Sequence, residues 1–544
     1  MNACPNCASE MRFDIATQSL LCPHCGTKEN PQTYSAFGAF AEEYGTDPEE
    51  MDAILYSCPQ CGGSIYSTES SVNGFCSYCG ANVTLKSRMV KMKYPRYVAP
   101  FRIDKEECKK RYLAYAKKAF FAPKELKNPE YPDRFRGIYM TYWGYNVHME
   151  GYLALDGKRD YVSLPYHYTE CYKCSGWVNA EYKGIFFDAS STFEDHYSEQ
   201  VAPFNYHALV KFNPAYLSGF YADLPDLSDE IYEENAINLS KDNLFRSSQL
   251  RKSFPGMNFD EEQKERFRST MDAYCSETYT VFFPIWFLSY RHKDDMACAV
   301  VNGQTGRIVS DFPVSEKKFL LFGFLLALPL FLLFSLLPTF SLSALLIISD
   351  SFAVFSMVLL VYLLQKVHIH RLMLDDKGYL SKSTAYDYQF RYHLNELREA
   401  KRKKKKNRLP LILGIVIVLA LLSYPLQLGL NILLTLLGGL SPLTALVLCI
   451  ILELLILKNG GTILRYMGKG RVPLLMGMIL TFFSSIYGTY LLFSRSRYNH
   501  AMYVVILLIL LGTVISQLCA VGEYNRMVCR PLPQLMREGG EYHD

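Results

Sequence analysis

The sequence predicts a multidomain chain: two small β modules come first, a β-rich α+β domain follows, and an all-α bundle of membrane-spanning helices ends the chain. Three observations predict this order. Eight of the sixteen cysteines lie within the first 79 residues, in two patterns of identical spacing. Stretches in the middle of the chain alternate aromatic and β-branched residues as strands do. After Lys318, long apolar runs replace the charged residues of the first part.

Length and charge limit what the chain can be. Its 544 residues suffice for three or four folded units at roughly 100–200 residues each. The net charge of +4 gives no global basic field, so any attraction to nucleic acid or lipid must be local. No apolar stretch precedes Cys4, so we expect no signal peptide. Paired Cys-x-x-Cys units favour metal-bound thiolates over disulfides, which predicts a cytoplasmic N-terminal region.

The cysteine pattern is typical of zinc ribbons. Two residues between cysteines let a tight turn direct both sulfurs at one ion, and an interval of fourteen residues allows a hairpin that brings the second turn opposite. Four thiolates close a tetrahedral shell, so the zinc is structural and metal binding supplies on the order of 10 kcal/mol of folding free energy. Gly26, Gly62 and Gly80 permit left-handed backbone after the second cysteines. We expect two zinc ions, with the ligands Cys4, Cys7, Cys22 and Cys25 in the first ribbon and Cys58, Cys61, Cys76 and Cys79 in the second.

Charges near the cysteines indicate the kind of partner. The ribbons are assigned to residues 1–30 and 55–85, with an acidic linker at residues 31–54 between them. The second ribbon, from Cys58 to Gly80, has no basic residue, whereas affinity for a phosphate backbone needs lysine and arginine. The basic run from Lys86 to Arg96 is interpreted either as a solvated linker or as a nucleic-acid contact. On balance the charges favour a protein partner over nucleic acid.

Residues 95–315 read as one α+β domain in the cytoplasm. Asp104 is expected to cap a helix that runs to Phe121, and Ser228 is expected to cap a second helix. Arg136–His148 and Tyr279–Arg291 are predicted strands. Val300–Val309 is a predicted hairpin with an Asn-Gly turn at Asn302 and Gly303.

Two similarities within this domain predict an internal duplication. Val98-Ala99-Pro100-Phe101 recurs as Val201-Ala202-Pro203-Phe204, and the strand around Trp143 resembles the strand around Trp286. We expect the two halves to pack face to face. Cys171 and Cys174 form the remaining close cysteine pair, which is interpreted as strand or loop thiols, with a third metal site as the alternative.

The C-terminal region, residues 319–522, predicts six membrane spans of about 20 apolar residues each. Positively charged loops concentrate on one side, which places both chain ends in the cytoplasm of a multi-pass protein of the plasma (inner) membrane, with residues 523–544 as a cytoplasmic tail. Asp350 and Glu453 are the acids within apolar stretches, and a transport role for them is a minor alternative to a simple anchor. The spans are Phe319–Leu337, Ser343–Leu364, Leu409–Leu428, Leu434–Leu457, Pro473–Phe493 and Ala501–Gly522.

A basic cytoplasmic loop at residues 365–408 ends in the strongest charge run of the chain. The run is interpreted as a determinant of topology, and it is also suited to acidic lipid headgroups at about 1 kcal/mol per residue. Its members are Lys401, Arg402, Lys403, Lys404, Lys405, Lys406 and Arg408.

No catalytic motif is present: the sequence has no phosphate-binding loop of the Gly-x4-Gly-Lys-Ser/Thr type, no His-Glu-x-x-His and no Gly-x-Ser-x-Gly. We therefore expect no enzyme. The leading hypothesis is a zinc-binding membrane protein that docks a protein partner without catalysis. The alternatives are a membrane-tethered nucleic-acid binder and a component of a transporter.

Several motifs resemble a family of uncharacterised bacterial zinc-ribbon membrane proteins. The resemblance covers the chain to about residue 318 and implies zinc ribbons of the TFIIB type but no established activity. Relatives labelled as primosomal helicases would need an ATP-binding loop, which this sequence lacks. The matching segments are the two ribbons, Phe121–Lys124, Arg136–Met140, Asp188–Ser191, Leu217–Ala222 and Asn302–Gly306.

Overall fold

The structure is a computed structural model. It describes residues 3–34, 50–59, 64–67, 86–163, 166–190, 195–223, 225–245, 247–292, 295–335, 342–374, 450, 451, 453, 471–493, 499–528, 530 and 531. Two of the predicted spans, Leu409–Leu428 and most of Leu434–Leu457, lie outside these residues, as does the basic run from Lys401 to Arg408.

The strands form two sheets. The first is a small antiparallel sheet in the order β1-β2-β3, and the second follows the order β10-β7-β13-β8-β11-β5-β4-β6. Off this path β9 and β12 pair with β8, β14 pairs with β13, and β15 and β16 pair with β14. The strands are β1 (Arg12–Asp14), β2 (Ser19–Leu21), β3 (Lys28–Glu29), β4 (Glu50–Ser57), β5 (Ser64–Ser67), β6 (Lys86–Lys93), β7 (Tyr97–Val98), β8 (Arg136–Ser163), β9 (Tyr166–Asp188), β10 (Val210–Lys211), β11 (Tyr221–Ala222), β12 (Asn258–Phe259), β13 (Asp272–His292), β14 (Asp295–Asn302), β15 (Ile308–Ser310) and β16 (Arg530–Pro531).

Helices cover the large sheet and form the C-terminal region. Short 3-10 helices lie at Glu125–Lys127, Tyr131–Arg134, Tyr206–Ala208, Pro214–Leu217 and Asp229–Tyr232. The α-helices are α1 (Lys105–Lys118), α2 (Asp195–Val201), α3 (Glu233–Leu244), α4 (Ser248–Ser253), α5 (Glu261–Thr270), α6 (Glu316–Ser335), α7 (Leu342–Leu374), α8 (Arg471–Phe493) and α9 (Asn499–Val528).

The two predicted helix caps and the two predicted strands are present. The Asp104 carboxylate accepts a hydrogen bond from the backbone N–H of Glu107 (2.7 Å), although α1 ends at Lys118, before the predicted Phe121. Ser228 caps the 3-10 turn that leads into α3. The predicted strands Arg136–His148 and Tyr279–Arg291 lie within β8 and β13, and both observed strands are longer than the alternating sequence indicates.

The central strands bury side chains on both faces, which explains their aromatic composition. Along β8 and β13, Tyr139, Phe282 and Trp286 enter one core cluster, whereas Met140 and Phe283 enter a second cluster on the other face. A sheet that is covered on both faces buries apolar side chains on each face. Each Å² of apolar area removed from water stabilises the fold by about 25 cal/mol.

Two sets of elements in the domain, here called halves, follow the same order along the chain. Each half has a short strand, a helix, a long strand and a returning strand, namely β7, α1, β8 and β9 in the first half and β11, α3, β13 and β14 in the second. The short strand of each half pairs in parallel with the long strand of the other half, with Val98 opposite Phe282 and Ala222 opposite Tyr139. The long strands pair antiparallel, and Met140 lies opposite Phe283.

Matching hydrogen bonds show how closely the halves correspond. The indole N–H of Trp143 donates to the carbonyl of Leu227 (3.0 Å), and the indole N–H of Trp286 donates to the carbonyl of Ile103 (2.8 Å). In each half the acceptor is the residue directly before the helix cap. The equivalent strands therefore lie side by side in one sheet, whereas the sequence predicted halves packed face to face.

The repeated Val-Ala-Pro-Phe segment does not mark equivalent positions. Val98 lies in strand β7, whereas Val201 is the last residue of helix α2. The segment that corresponds to Tyr97–Val98 is Tyr221–Ala222, since both pair with the same part of a long strand. This part of the repeat prediction is wrong, because four identical residues adopt different local structures.

Four of the predicted spans contain helices, α6 to α9. Two apolar windows, Leu474–Leu491 in α8 and His500–Arg526 in α9, are long and apolar enough to cross a membrane, and a shorter one covers Ile348–Leu364 in α7. Small residues bring α8 and α9 close together. A side chain at Gly512 would meet the carbonyl oxygen of Gly477 at 2.8 Å, so neither position has room for one.

The end of α9 contacts the α+β domain. The Asn525 side chain accepts a hydrogen bond from the N–H of Val314 (2.7 Å) and donates one to its carbonyl (2.8 Å). Two residues after α9, Arg530 pairs with Met296 of β14. Part of the predicted tail is therefore helix and strand. The start of α6 at Glu316 and the end of α9 both lie beside the α+β domain.

Candidate metal centre

The first cysteine set converges on one point. The four sulfur atoms of Cys4, Cys7, Cys22 and Cys25 all lie within 4.8 Å of one another. The Sγ atom of Cys4 is 3.4 Å from that of Cys25, and the Sγ atom of Cys7 is 3.4 Å from that of Cys22. Among the residues that the structure describes, this is the one group of three or more potential ligands placed to hold a metal ion.

Two backbone turns of the same form aim the sulfurs. The N–H of Ala8 donates to the carbonyl of Cys4 (2.8 Å), and the N–H of Gly26 donates to the carbonyl of Cys22 (3.0 Å). Both residues have left-handed backbone, with φ of 56° at Ala8 and 74° at Gly26. The predicted role of Gly26 is confirmed, and Ala8 adopts the same conformation against its steric preference.

Hydrogen bonds lower the pKa of three of the four thiols, and at Cys4 they do so against the opposing effect of burial. The Thr27 hydroxyl lies 3.0 Å from the Sγ of Cys25 and lowers the pKa of that thiol. Asn6 donates to the same hydroxyl oxygen (2.9 Å), which directs the Thr27 hydrogen toward the sulfur. Hydrogen bonds with Ser9 likewise lower the pKa of Cys7.

Cys22 differs from these three ligands. Although the backbone N–H of Cys25 favours its thiolate, burial and the neighbouring thiols of Cys7 and Cys25 outweigh that effect and raise the pKa of Cys22 to about 11. A group of neighbouring thiols cannot all carry negative charge without a cation among them.

The four thiols fit one zinc ion. Zn–S bonds of about 2.3 Å in a tetrahedron place sulfur atoms roughly 3.8 Å apart, which lies between the shortest separation of 3.4 Å and the upper limit of 4.8 Å in this cluster. Such a shell is closed, so its chemistry is structural: the thiolates would hold the two turns together and leave no position for a substrate.

The module that carries the four cysteines shares its core with the α+β domain. Met11, Phe13 and Leu20 are buried and belong to the same core cluster as Phe101 and Trp286. Backbone and side-chain bonds fix the contact, since the N–H of Phe13 donates to the carbonyl of Ser218 (3.1 Å) and the Gln18 amide donates to the carbonyl of Phe101 (2.7 Å). No local pattern in the sequence predicts this docking.

The second cysteine set is described in part. Cys58 is buried and belongs to the core cluster with Tyr56 and Ile65, whereas Cys61, Cys76 and Cys79 lie outside the described residues, as do Gly62 and Gly80. Strand β4 begins at Glu50, within the predicted linker, and β5 pairs with β11. The strands flanking the second set thus extend the sheet of the α+β domain.

The basic run after the second set is a strand. Lys86–Lys93 forms β6, and its register places Lys93 opposite Glu50 and Lys91 opposite Asp52 of β4. This arrangement corrects the interpretation of the run as a solvated linker.

Cys171 and Cys174 do not form a third metal site. Both lie on β9, three residues apart, and residues at an odd separation on a strand point to opposite faces. Accordingly Cys171 is exposed and Cys174 is buried. The interpretation as strand thiols therefore holds.

The two left-handed positions provide a matched pair of substitutions. Gly26→Ala is expected to weaken zinc binding about fivefold, and Ala8→Gly is expected to strengthen it by a similar factor. Left-handed backbone costs a residue with a Cβ about 1 kcal/mol, and a Cβ at Gly26 meets nothing within 4 Å, so the backbone alone sets the effect. Competition with a coloured zinc chelator measures both affinities. Shifts of the same sign in the two variants would contradict the argument.

Comparison with known proteins gives one distant relative. The chain is 26% identical over 322 residues to the uncharacterized protein YdjG of Bacillus subtilis (strain 168), an alignment that covers 58% of this chain and 90% of that protein. No family model matches the chain, and no solved structure is significantly similar to it.

Proposed function

We propose that the protein is a membrane-anchored docking protein of the zinc-ribbon family suggested by its sequence, in which a zinc-stabilised cytoplasmic domain binds a protein partner. The observation that carries this proposal is a surface outside the four-cysteine cluster of the candidate metal centre. The β8–β9 hairpin extends beyond the helices that cover its base and exposes aromatic side chains from its middle, where Tyr152 pairs with Trp177, to its free end. We name these side chains the aromatic arm: Tyr152, Tyr161, Tyr166, Tyr168, Tyr172 and Trp177.

Burial along the hairpin explains the arm. Leu153 and Leu155 point to one face, where α3, α4 and α5 cover them, whereas the side chains beyond Lys158 are exposed on both faces. Trp177 is 80% exposed and contacts the ring of Tyr152 across the strand pair. Tryptophan and tyrosine dominate the binding energy of protein interfaces, and a two-stranded extension gains little stability from exposing them.

Two features support the anchoring part of the proposal. The windows in α8 and α9 are long and apolar enough for a membrane. The contacts of Asn525 with Val314 keep the end of α9 beside the α+β domain, as expected if the chain crosses the membrane an even number of times and both ends are cytoplasmic. A zinc ion at each cysteine set completes the proposal.

Substitution of the arm is expected to release the partner. Trp177→Ala combined with Tyr152→Ala should reduce recovery of co-purifying proteins from solubilised membranes at least tenfold, since interface aromatics contribute about 2 kcal/mol or more each. Tyr274→Ala is the matched control, because Tyr274 is 55% exposed, much as Tyr152 is at 56%, but lies outside the arm. Quantitative mass spectrometry compares the baits. Equal recovery of partner proteins with the wild type, the double variant and Tyr274→Ala would disprove the docking role of the arm.

A further inference from the structure

The two acids of the apolar helices meet at one serine. Asp350 of α7 and Glu453 both lie within hydrogen-bond distance of the Ser485 hydroxyl on α8, with Oδ1 of Asp350 at 2.9 Å and Oε1 of Glu453 at 3.3 Å. Asp350 and Glu453 have no exposed surface, and neither has Ser485. The second carboxylate oxygens, Oδ2 of Asp350 and Oε2 of Glu453, have no hydrogen-bond partner among the described residues.

The position of the cluster makes charge costly. Ser485 lies inside the apolar window of α8, and Asp350 lies in that of α7. Within the described residues, no lysine, arginine or histidine forms an ion pair with either carboxylate. Two unneutralised carboxylates in such surroundings repel each other and also lose their hydration.

Hydrogen counting leads to the same conclusion. The Ser485 oxygen lies 2.9 Å from Asp350, 3.3 Å from Glu453 and 3.0 Å from the backbone carbonyl of Thr481, and all three neighbours are acceptors when both acids are ionised. A serine hydroxyl has one hydrogen, so it satisfies one acceptor. One added proton on a carboxyl group lets that group donate to Ser485 while Ser485 donates to the other acid.

We propose that Asp350, Glu453 and Ser485 form a cation-binding site within the helix bundle and that the cation held at neutral pH is a proton shared by the two carboxyl groups. The site joins α7 and α8 to the segment that carries Glu453, so loss of the proton leaves a repulsive contact between these elements. This inference is independent of the docking function, because it concerns residues that the aromatic arm does not contact.

The other titratable groups on the packed helices do not pair with the two carboxyl groups. Among the side chains that the structure describes on α7, α8 and α9, none of the other titratable groups forms a hydrogen bond or ion pair with Asp350 or Glu453, and Glu523 pairs instead with Arg526. These groups are Tyr362, Tyr487, Tyr490, His500, Tyr503, Cys519, Glu523, Tyr524 and Arg526.

Infrared spectroscopy of the full-length protein in lipid nanodiscs tests the proposal. At pH 7 the wild type should show the carbonyl stretch of a protonated carboxyl group, and the double variant Asp350→Asn, Glu453→Gln should lose it. Glu523→Gln is the control, a buried acid with an arginine partner, and it should keep the band. A wild type without the band would overturn the proton assignment. Persistence of the band in the double variant would overturn the site.

Thermal unfolding provides a second readout for variants that are recovered poorly. The folded bundle binds a proton that the unfolded chain releases at neutral pH, so the wild-type melting temperature should fall as the pH rises from 6 to 9. The double variant should melt several degrees higher than wild type at pH 9, with a shallower pH slope. If Na⁺ stabilises the wild type at constant pH and no carboxyl band is present, the site binds a metal ion and the proton assignment is wrong.

Discussion

Loss of one thiol from the first cysteine set is expected to unfold much of the α+β domain as well as the cysteine module itself. Cys22→Ser should lower the free energy of unfolding by about 5 kcal/mol or more. The reason is that Met11, Phe13 and Leu20 are buried in the domain core, and burial of each such side chain contributes about 1.5–3 kcal/mol. Domains of this kind retain only about 5–15 kcal/mol in total.

Hydrogen exchange in the full-length protein measures this effect by region. In the wild type the N–H of Phe13, bonded to Ser218, should be protected, and protection should fall in Cys22→Ser both there and around Phe101 and Phe220. Cys171→Ser is the control, since that thiol is exposed and lies on β9 far along the hairpin. If exchange near Phe101 and Phe220 is unchanged after the metal ligand is removed, the module is an independent unit.

Local signals in the sequence were sufficient for the parts of the fold that depend on neighbouring residues. The cap at Asp104 follows from a short polar side chain before a helix, and its bond to the N–H of Glu107 requires no distant residue. The four-thiol cluster follows from spacing for the same reason, because each pair of cysteines lies on one turn. Both features are set by geometry within a few residues.

Features that depend on tertiary contacts were missed or misread. The apolar residues Met11, Phe13 and Leu20 are visible in the sequence, but nothing local indicates that they pack against Phe101 and Tyr216. The basic residues of Lys86–Lys93 favour a linker when they are considered locally, because the partner strand β4 lies 29 to 43 residues earlier in the chain. The convergence of Asp350 and Glu453 on Ser485 joins residues from three separate apolar segments, which periodicity does not relate to one another.

The hairpin at Asn302 illustrates a prediction that is right in kind and wrong in detail. The chain does turn there, but the N–H of Asn302 donates to the carbonyl of Arg307 (2.8 Å), so the loop is longer than the predicted two residues. The left-handed glycine is Gly306, with φ of 74°, and not Gly303. Gly303 is required for another reason, since a Cβ there would meet the Phe101 ring at 2.6 Å.

Asn302→Ala is expected to be among the most destabilising single substitutions in the domain, at about 3–4 kcal/mol. The side chain is completely buried. Its amide group donates to the carbonyl of Val201 (3.0 Å), and its carbonyl accepts the N–H groups of Gln304 (2.8 Å) and Thr305 (2.9 Å). Truncation leaves these backbone groups without partners, and each costs about 1–3 kcal/mol, with less than full additivity.

Asn205→Ala is the matched control for this substitution. Asn205 makes the same kind of local bond, accepting the N–H of His207 at 3.0 Å, but that bond is exposed to solvent. Water replaces the lost acceptor there, so the expected cost is at most about 1 kcal/mol. Denaturant unfolding of the two variants compares the costs. Equal destabilisation would mean that the loop tolerates the loss of Asn302. The hydrogen bonds that link β14 to the end of α2 would then contribute little to the stability of the domain.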